Sequence, residues 1–182
     1  MCYRFDLITN ESKKVDLVYN FHLLLQNNLK INLLNEAYYI CLDETPQIKK
    51  ASFGLKLSDK IIYNARHETI LDKDIFKTDY IIHKGVFPCN AFYEKDKNKV
   101  ERRFISKDNV INYLAGFIIN DSFIILTRNA PEEFDSFKRL PIYLSEEDVD
   151  SYLKSDQDIS ILNKFNKKIF HLEGYYEPIK LF

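Results

Sequence analysis

The sequence predicts an α+β fold, a single domain over residues 1–182 built around an antiparallel, barrel-like β-sheet with flanking helices. Three observations predict it. Short runs of β-branched and aromatic residues recur from Ala37 to Thr127 between polar turns, whereas helical spacing is confined to the two ends of the chain. No internal repeat, low-complexity tract or linker divides the sequence, and with only 4 Gly it has no glycine-rich hinge between domains. At 182 residues and 46% hydrophobic content, the chain is long enough to bury a core without disulfides or metals.

The elements follow in order. Asn10 to Gln26 carries Val15, Leu17, Val18, Phe21, Leu24 and Leu25 near helical spacing, with Asn10 or Ser12 as cap. Strands are expected at Tyr38 to Leu42, Ile48 to Leu55, Tyr80 to Phe87, Ala91 to Tyr93, Arg102 to Ser106, Ile111 to Ile119 and Phe123 to Thr127. Asn120-Asp121-Ser122 reads as a hairpin turn, and Lys95 to Lys99 joins an earlier pair. Helical patterns return at Pro131 to Phe137, at Glu146 to Leu153 behind a Ser145 cap with Glu146-Glu147-Asp148 in the first turn, and at Ile159 to Ile169.

Composition excludes several classes. The longest apolar runs fall well short of 18 residues and no apolar signal core follows Met1, so a soluble, cytoplasmic monomer with no membrane partner is expected. A formal net charge of -1 excludes a generally basic coat, and any nucleic-acid contact must use a local patch. Cys2, Cys41 and Cys89 lie too far apart for a zinc ribbon or a redox pair and are expected as reduced thiols, the last two in the core.

Cys2 restricts the chemistry most. A residue this small after the initiator normally permits removal of Met1, which leaves one residue bearing both a free α-amine and a thiol. Their ordinary pKa values, about 7.7–8.0 and about 8.5, make part of each nucleophilic near neutrality. Such an aminothiol captures an aldehyde as an imine, and the sulfur then closes a thiazolidine ring in a fast intramolecular step. On the residue alone, Cys2 also reads as a small buried hydrophobe placed near a terminus by accident.

Two further segments carry candidates. In Tyr63-Asn64-Ala65-Arg66-His67-Glu68-Thr69, strand alternation puts Asn64, Arg66 and Glu68 on one face and turns His67 to the other. Asn64 offers an amide donor and Arg66 a fork suited to phosphate, although a solvated edge strand has the same pattern. In Phe87-Pro88-Cys89-Asn90-Ala91-Phe92-Tyr93-Glu94, one carboxylate ends an apolar run. Partial burial raises a glutamate pKa toward general acid/base work, and the competing reading makes Glu94 the first exposed residue of the next turn. The basic run Lys95, Lys97, Lys99, Arg102 and Arg103, interrupted by Asp96 and Glu101, reads as a solvated hairpin. His22, His67, His83 and His171 read as structural.

Cys2 with Arg4-Phe5, Phe53-Gly54-Leu55, Asn64-Ala65-Arg66-His67-Glu68-Thr69, Pro88 with Phe92-Tyr93-Glu94, Ala115-Gly116, Ile125-Leu126-Thr127 and Arg139-Leu140-Pro141 form an ordered set. That set resembles the SOS response-associated peptidase (SRAP) family, also called abasic-site processing proteins, from Met1 to about Leu153. The resemblance implies binding of single-stranded DNA containing abasic sites and capture of the ring-opened sugar aldehyde as a thiazolidine with Cys2. It implies that Asn64 orients the sugar and the α-amine, and that Glu94 manages protons during sugar opening and ring closure. It implies that Arg66 and Arg139 hold phosphates, with Arg4 near enough to assist. No metal or organic cofactor is required by this chemistry, and the bound protein would be nucleoid-associated.

The sequence departs from the family pattern in four ways. Tyr3 stands where the family has Gly, and Phe137 stands where a histidine precedes the arginine by two residues. The connection from Lys56 to Tyr63 is short, and it has none of the tryptophans that wedge bases apart in many members. Phenylalanine cannot shuttle a proton. Two other readings therefore stand beside covalent capture: a diverged non-covalent single-stranded DNA-binding module without efficient crosslink turnover, and an amidohydrolase with an N-terminal nucleophile.

Overall fold

The turn expected at Asn120-Asp121 forms, and its backbone shows why those residues occupy it. Both take positive φ, 47° and 56°, as a two-residue type I′ hairpin requires and as Asn and Asp tolerate best. The computed structural model describes residues 2–7, 29–107, 110–155, 162 and 170–173. The helix expected over 10–26 lies outside the described residues, as does that over 159–169 except for Leu162.

In chain order the strands are β1 (Arg4–Leu7), β2 (Leu29–Asn32), β3 (Glu36–Leu42), β4 (Pro46–Phe53), β5 (Leu55–Lys56), β6 (Ile61–Ile62) and β7 (Asn64–Arg66). After helix α1 (Asp74–Ile82) come β8 (Lys84–Cys89), β9 (Ala91–Lys95), β10 (Glu101–Ser106), β11 (Asn112–Ile119), β12 (Ser122–Asn129), β13 (Arg139–Pro141) and β14 (Tyr143–Leu144). Helix α2 (Glu146–Lys154) and β15 (Phe170–Leu172) complete the described residues. The fold is mostly β, with few helices.

Two sheets carry the architecture. One is open and antiparallel, in the order β15-β10-β9-β1-β2. In the other, β12, β4, β3, β8 and β11 pair in succession and β11 returns to β12, which closes a ring. The expected barrel-like sheet thus corresponds to a ring that is not wholly antiparallel, because β4 and β7 both run parallel to β12. β11 and β12 diverge beyond the Gly116↔Ile125 pair, and the chain between β13 and β14 fills the fork. There the Ile142 N–H donates to the Leu126 carbonyl at 2.8 Å and its own carbonyl accepts from Ala115 N–H at 2.9 Å. At the last paired position, Gly116 lets β11 lie close against β12, since a Cβ there would lie 2.3 Å from the Ile124 carbonyl oxygen.

The ring strands β11 and β12 are apolar on both faces. Ile124 and Leu126 join Phe117, Phe76 and Tyr80 of α1, and Val149 and Tyr152 of α2 in one core cluster. Phe123 and Ile125 join Phe5, Phe92 and Phe104 of the open sheet in the other. The uninterrupted run Phe123-Ile124-Ile125-Leu126 is therefore explained by helices on one side and a second sheet on the other. None of the helices in the described residues is long and apolar enough to cross a membrane.

Two expected elements differ. Tyr80 to Phe87 is not one strand, since α1 runs through Ile82 and β8 starts at Lys84. Phe76 and Tyr80, four apart, supply the buried face of α1, while Ile82 is 62% exposed and mimics strand patterning without being buried. Pro131 to Phe137 yields only a single 3₁₀ turn, Glu132–Phe134.

Candidate functional site at the seam between the sheets

Cys2 lies where the open sheet meets the ring. The Arg4↔Tyr93 and Phe5↔Phe92 pairs bring the start of the chain against β9, and Cys2 is fully buried among the aromatic residues of the intersheet core. Its Sγ lies 3.6 Å from the Arg4 carbonyl oxygen. Across the seam, β7 is held parallel to β12 with Asn64 beside Ile125. From there Asn64 Nδ2 donates to the Cys2 carbonyl at 2.9 Å. The Asn64 Oδ1 is buried and has no hydrogen-bond partner among the described residues.

Glu94 comes from the open sheet. Strand alternation puts it on the same face as Phe92, turned into the core, and it is only 2% exposed. Burial holds its carboxyl above the ordinary glutamate range, against the opposing pull of the N-terminal amine and the Lys95 backbone N–H. Burial also drives the Cys2 thiol far above its usual value, and the Glu94 charge adds to the rise. The Glu94 charge is near enough to act on the thiol, so the site holds a buried carboxyl with a raised pKa close to a neutral thiol.

A cavity of about 190 Å³ opens over Glu94, lined also by Arg66, Lys95, Lys138 and Arg139. Arg66, Lys95 and Lys138 are exposed, whereas Glu94 and Arg139 are buried. The site is thus one buried carboxyl beneath a rim of cations, suited to a ligand that is anionic outside and chemically reactive within. Lys95, read from sequence as part of a solvated hairpin, lines this cavity. Lys138 was missed altogether, and its only sequence signal is adjacency to Arg139.

Arg139 is committed to the protein. Its Nε donates to Thr127 Oγ1 at 3.1 Å, Nη1 to Asn129 Oδ1 at 2.8 Å, and Nη2 to Glu68 Oε2 at 2.6 Å and to the Thr127 carbonyl at 2.7 Å. Burial pushes the Glu68 carboxyl up, but the hydrogen bond from Arg139, a backbone hydrogen bond and the neighbouring positive charge together hold it below its usual range. Glu68 does not share a strand face with Asn64 and Arg66 as the alternation suggested, because β7 ends at Arg66 and a 3₁₀ helix begins at His67. His67 is buried, with Nδ1 3.3 Å from the Thr127 carbonyl oxygen.

Arg4 lies apart from the cavity lining. Its guanidinium stacks 3.5 Å over the Tyr93 ring and approaches Glu101 at 3.4 Å. Tyr3 donates its hydroxyl to Glu101, with Lys95 Nζ 5.5 Å from its ring. Phe137 is 3% exposed and packs edge-on against Phe104 at 5.0 Å. The described residues contain no group of three or more His, Cys, Asp or Glu able to hold a metal ion.

Solved structures share this fold, three of them as follows. A phage-related protein from Bordetella bronchiseptica matches at 16% identity with a TM-score of 0.71, over 97% of this chain and 95% of its own. A second protein from that organism matches at 16% identity and 0.68, over 94% and 98%. One from Bacteroides thetaiotaomicron matches at 17% and 0.67, over 94% and 90%. No curated protein matches the sequence significantly. The model of the SOS response associated peptidase (SRAP) family matches residues 1–175, nearly the entire length, and the chain belongs to that family.

Proposed function

We propose that the protein is an abasic-site processing protein that binds single-stranded DNA and captures the sugar aldehyde of an abasic site through Cys2, after removal of Met1. The observation that carries this reading is the clasp of Cys2 by Asn64 at 2.9 Å, with the buried Glu94 carboxyl near enough for its charge to act on the thiol. Asn64 fixes the first residue by its carbonyl, and its Oδ1 is available to accept from a freed α-amine. Arg66, Lys95 and Lys138 around the cavity supply the phosphate contacts.

The steps balance without a cofactor. The α-amine adds to the aldehyde carbon, and the resulting hydroxyl leaves as water with a proton from the Glu94 carboxyl. The Cys2 thiol then gives its proton to the Glu94 carboxylate as sulfur bonds to the iminium carbon. Thiazolidine formation therefore returns Glu94 to its starting state with the loss of one water. A carboxyl whose pKa is raised by burial suits the first transfer, and the anion it leaves near the thiol suits the second.

The test is incubation with a single-stranded oligonucleotide bearing one abasic site, followed by denaturing electrophoresis. A heat-stable shifted band that Cys2→Ala cannot form is the expected result. Retention of the oligonucleotide under native conditions, with no heat-stable band, would instead establish the non-covalent reading. That second reading is favoured by Phe137, whose packing against Phe104 leaves no imidazole where the family carries one.

A further inference from the structure

Arg139 and Thr127 form a clamp on the strand that presents both Asn64 and Arg66. Thr127 is fully buried, and its Oγ1 donates to the Ala65 carbonyl at 3.2 Å while accepting from Arg139 Nε at 3.1 Å. Ala65 is the middle residue of β7, so a single hydroxyl connects the guanidinium to the backbone between the two functional side chains. The same guanidinium ties down Glu68, just past the end of that strand, and Glu68 Oε1 accepts from the Asn129 N–H at 3.3 Å. β7 is three residues long and pairs with β12 alone in the described residues. So short a strand depends on side-chain ties to hold its register.

We infer that Arg139 and Thr127 are positioning residues, which set Asn64 against Cys2, and that Arg139 is not principally a phosphate contact. The guanidinium makes four hydrogen bonds to protein acceptors and is 7% exposed. With five N–H donors in all, it retains little capacity for an external anion. Breaking the Thr127 link frees the centre of β7 without removing any of the rim cations Arg66, Lys95 and Lys138.

The inference rests on the proposed reading of the site, and the experiment separates the two. Thr127→Val, Thr127→Ser and Arg139→Lys are compared with wild type in binding to undamaged single-stranded DNA across a salt series and in first-order crosslinking at saturating abasic DNA. Misplacement of a reacting group costs up to about 100-fold, so Thr127→Val and Arg139→Lys are expected to slow crosslinking by about 10-fold or more. Their dissociation constants should stay within about twofold of wild type, while Thr127→Ser, which keeps the hydroxyl, restores most of the rate. Arg139→Lys is the second probe because its charge is retained and its fork is lost. Loss of affinity with a salt slope shallower by about one, at an unchanged saturated rate, would mark Arg139 as a phosphate contact and overturn the inference. If wild type forms no adduct, the function reading fails, and hydrogen exchange across Asn64–Arg66 decides the clamp. Faster exchange in Thr127→Val but not Thr127→Ser supports it, and equal exchange in all variants overturns it.

Discussion

Cys2 and Cys41 occupy similar surroundings, and the contrast between them shows that a thiol's environment does not identify a nucleophile. Both are buried, both thiols are pushed up by burial, and each has a weak sulfur contact to a carbonyl oxygen, 3.6 Å to Arg4 and 3.8 Å to Gln47. Cys41 even lines the larger cavity, about 420 Å³ against about 190 Å³, in the company of Lys49, Asp79 and His83. The cation whose charge acts on Cys41 is engaged, however, since Lys49 pairs with Asp43 at 2.8 Å, and the Cys41 nitrogen is locked in a peptide bond. Cys2 has a buried carboxyl whose charge reaches its sulfur and an amide clasp on its carbonyl, and removal of one residue would free its amine. The distinction lies in backbone position and neighbours.

The sharpest way to break the contrast is to exchange each thiol for a methyl. Cys2→Ala is expected to abolish the heat-stable adduct on an abasic oligonucleotide, while Cys41→Ala forms it in wild-type yield. An adduct that survives the first substitution and not the second would reverse the assignment. Next in size, Glu94→Gln is expected to slow adduct formation by about 100-fold. The pH profile adds a sign. Because the Glu94 carboxyl is held above its ordinary value, its protonated form persists toward neutrality, and the rate it supports falls as pH climbs through the raised value. That limb should vanish in Glu94→Gln, and a limb that remains would assign it to another group.

Smaller effects sharpen the rim. Arg66→Ala is expected to weaken binding of undamaged single-stranded DNA and to reduce the salt slope by about one, with equal loss across sequences. Smallest is Glu68→Gln, measured by urea denaturation. A fully buried ion pair broken on one side costs about 3–5 kcal/mol, and partial exposure of Glu68 reduces the expected loss to about 1–2 kcal/mol. The folded-state pKa of Glu68 is lowered, so its stabilisation is fully present above the ordinary glutamate value of about 4.3. It disappears as pH falls through the lowered folded value, and wild type and variant should converge in acid. A gap that widens in acid would contradict the pair.

Much of the fold was legible where local chemistry acts alone. Asn120 and Asp121 announce a turn that needs positive φ, and Ser145 before three acidic residues announces α2, whose Ser145 hydroxyl reaches Asp148 at 2.6 Å. α1 was hidden because its apolar residues include Ile75 and Ile82, which are exposed, so β-branched composition outweighed the Phe76–Tyr80 spacing that decides burial. Ring closure was illegible because the parallel contact of β4 with β12 joins segments about 70 residues apart and leaves no local signature. At the site, Asn64 and Glu94 were readable through alternation and an ordered set of short motifs. The committed state of Arg139 was not, since Thr127, Asn129 and Glu68 meet it only through the pairing of β12 with β7 and β13.

Intact mass spectrometry of the protein mixed with an abasic-site oligonucleotide, followed by fragmentation of the covalent species, tests the central claim most directly. The account predicts a species whose mass is that of the chain lacking Met1 plus the oligonucleotide, less one water, with the adduct localised to Cys2. A terminus that retains Met1 in the active preparation, or an adduct mapped to a lysine of the cavity rim, would contradict it.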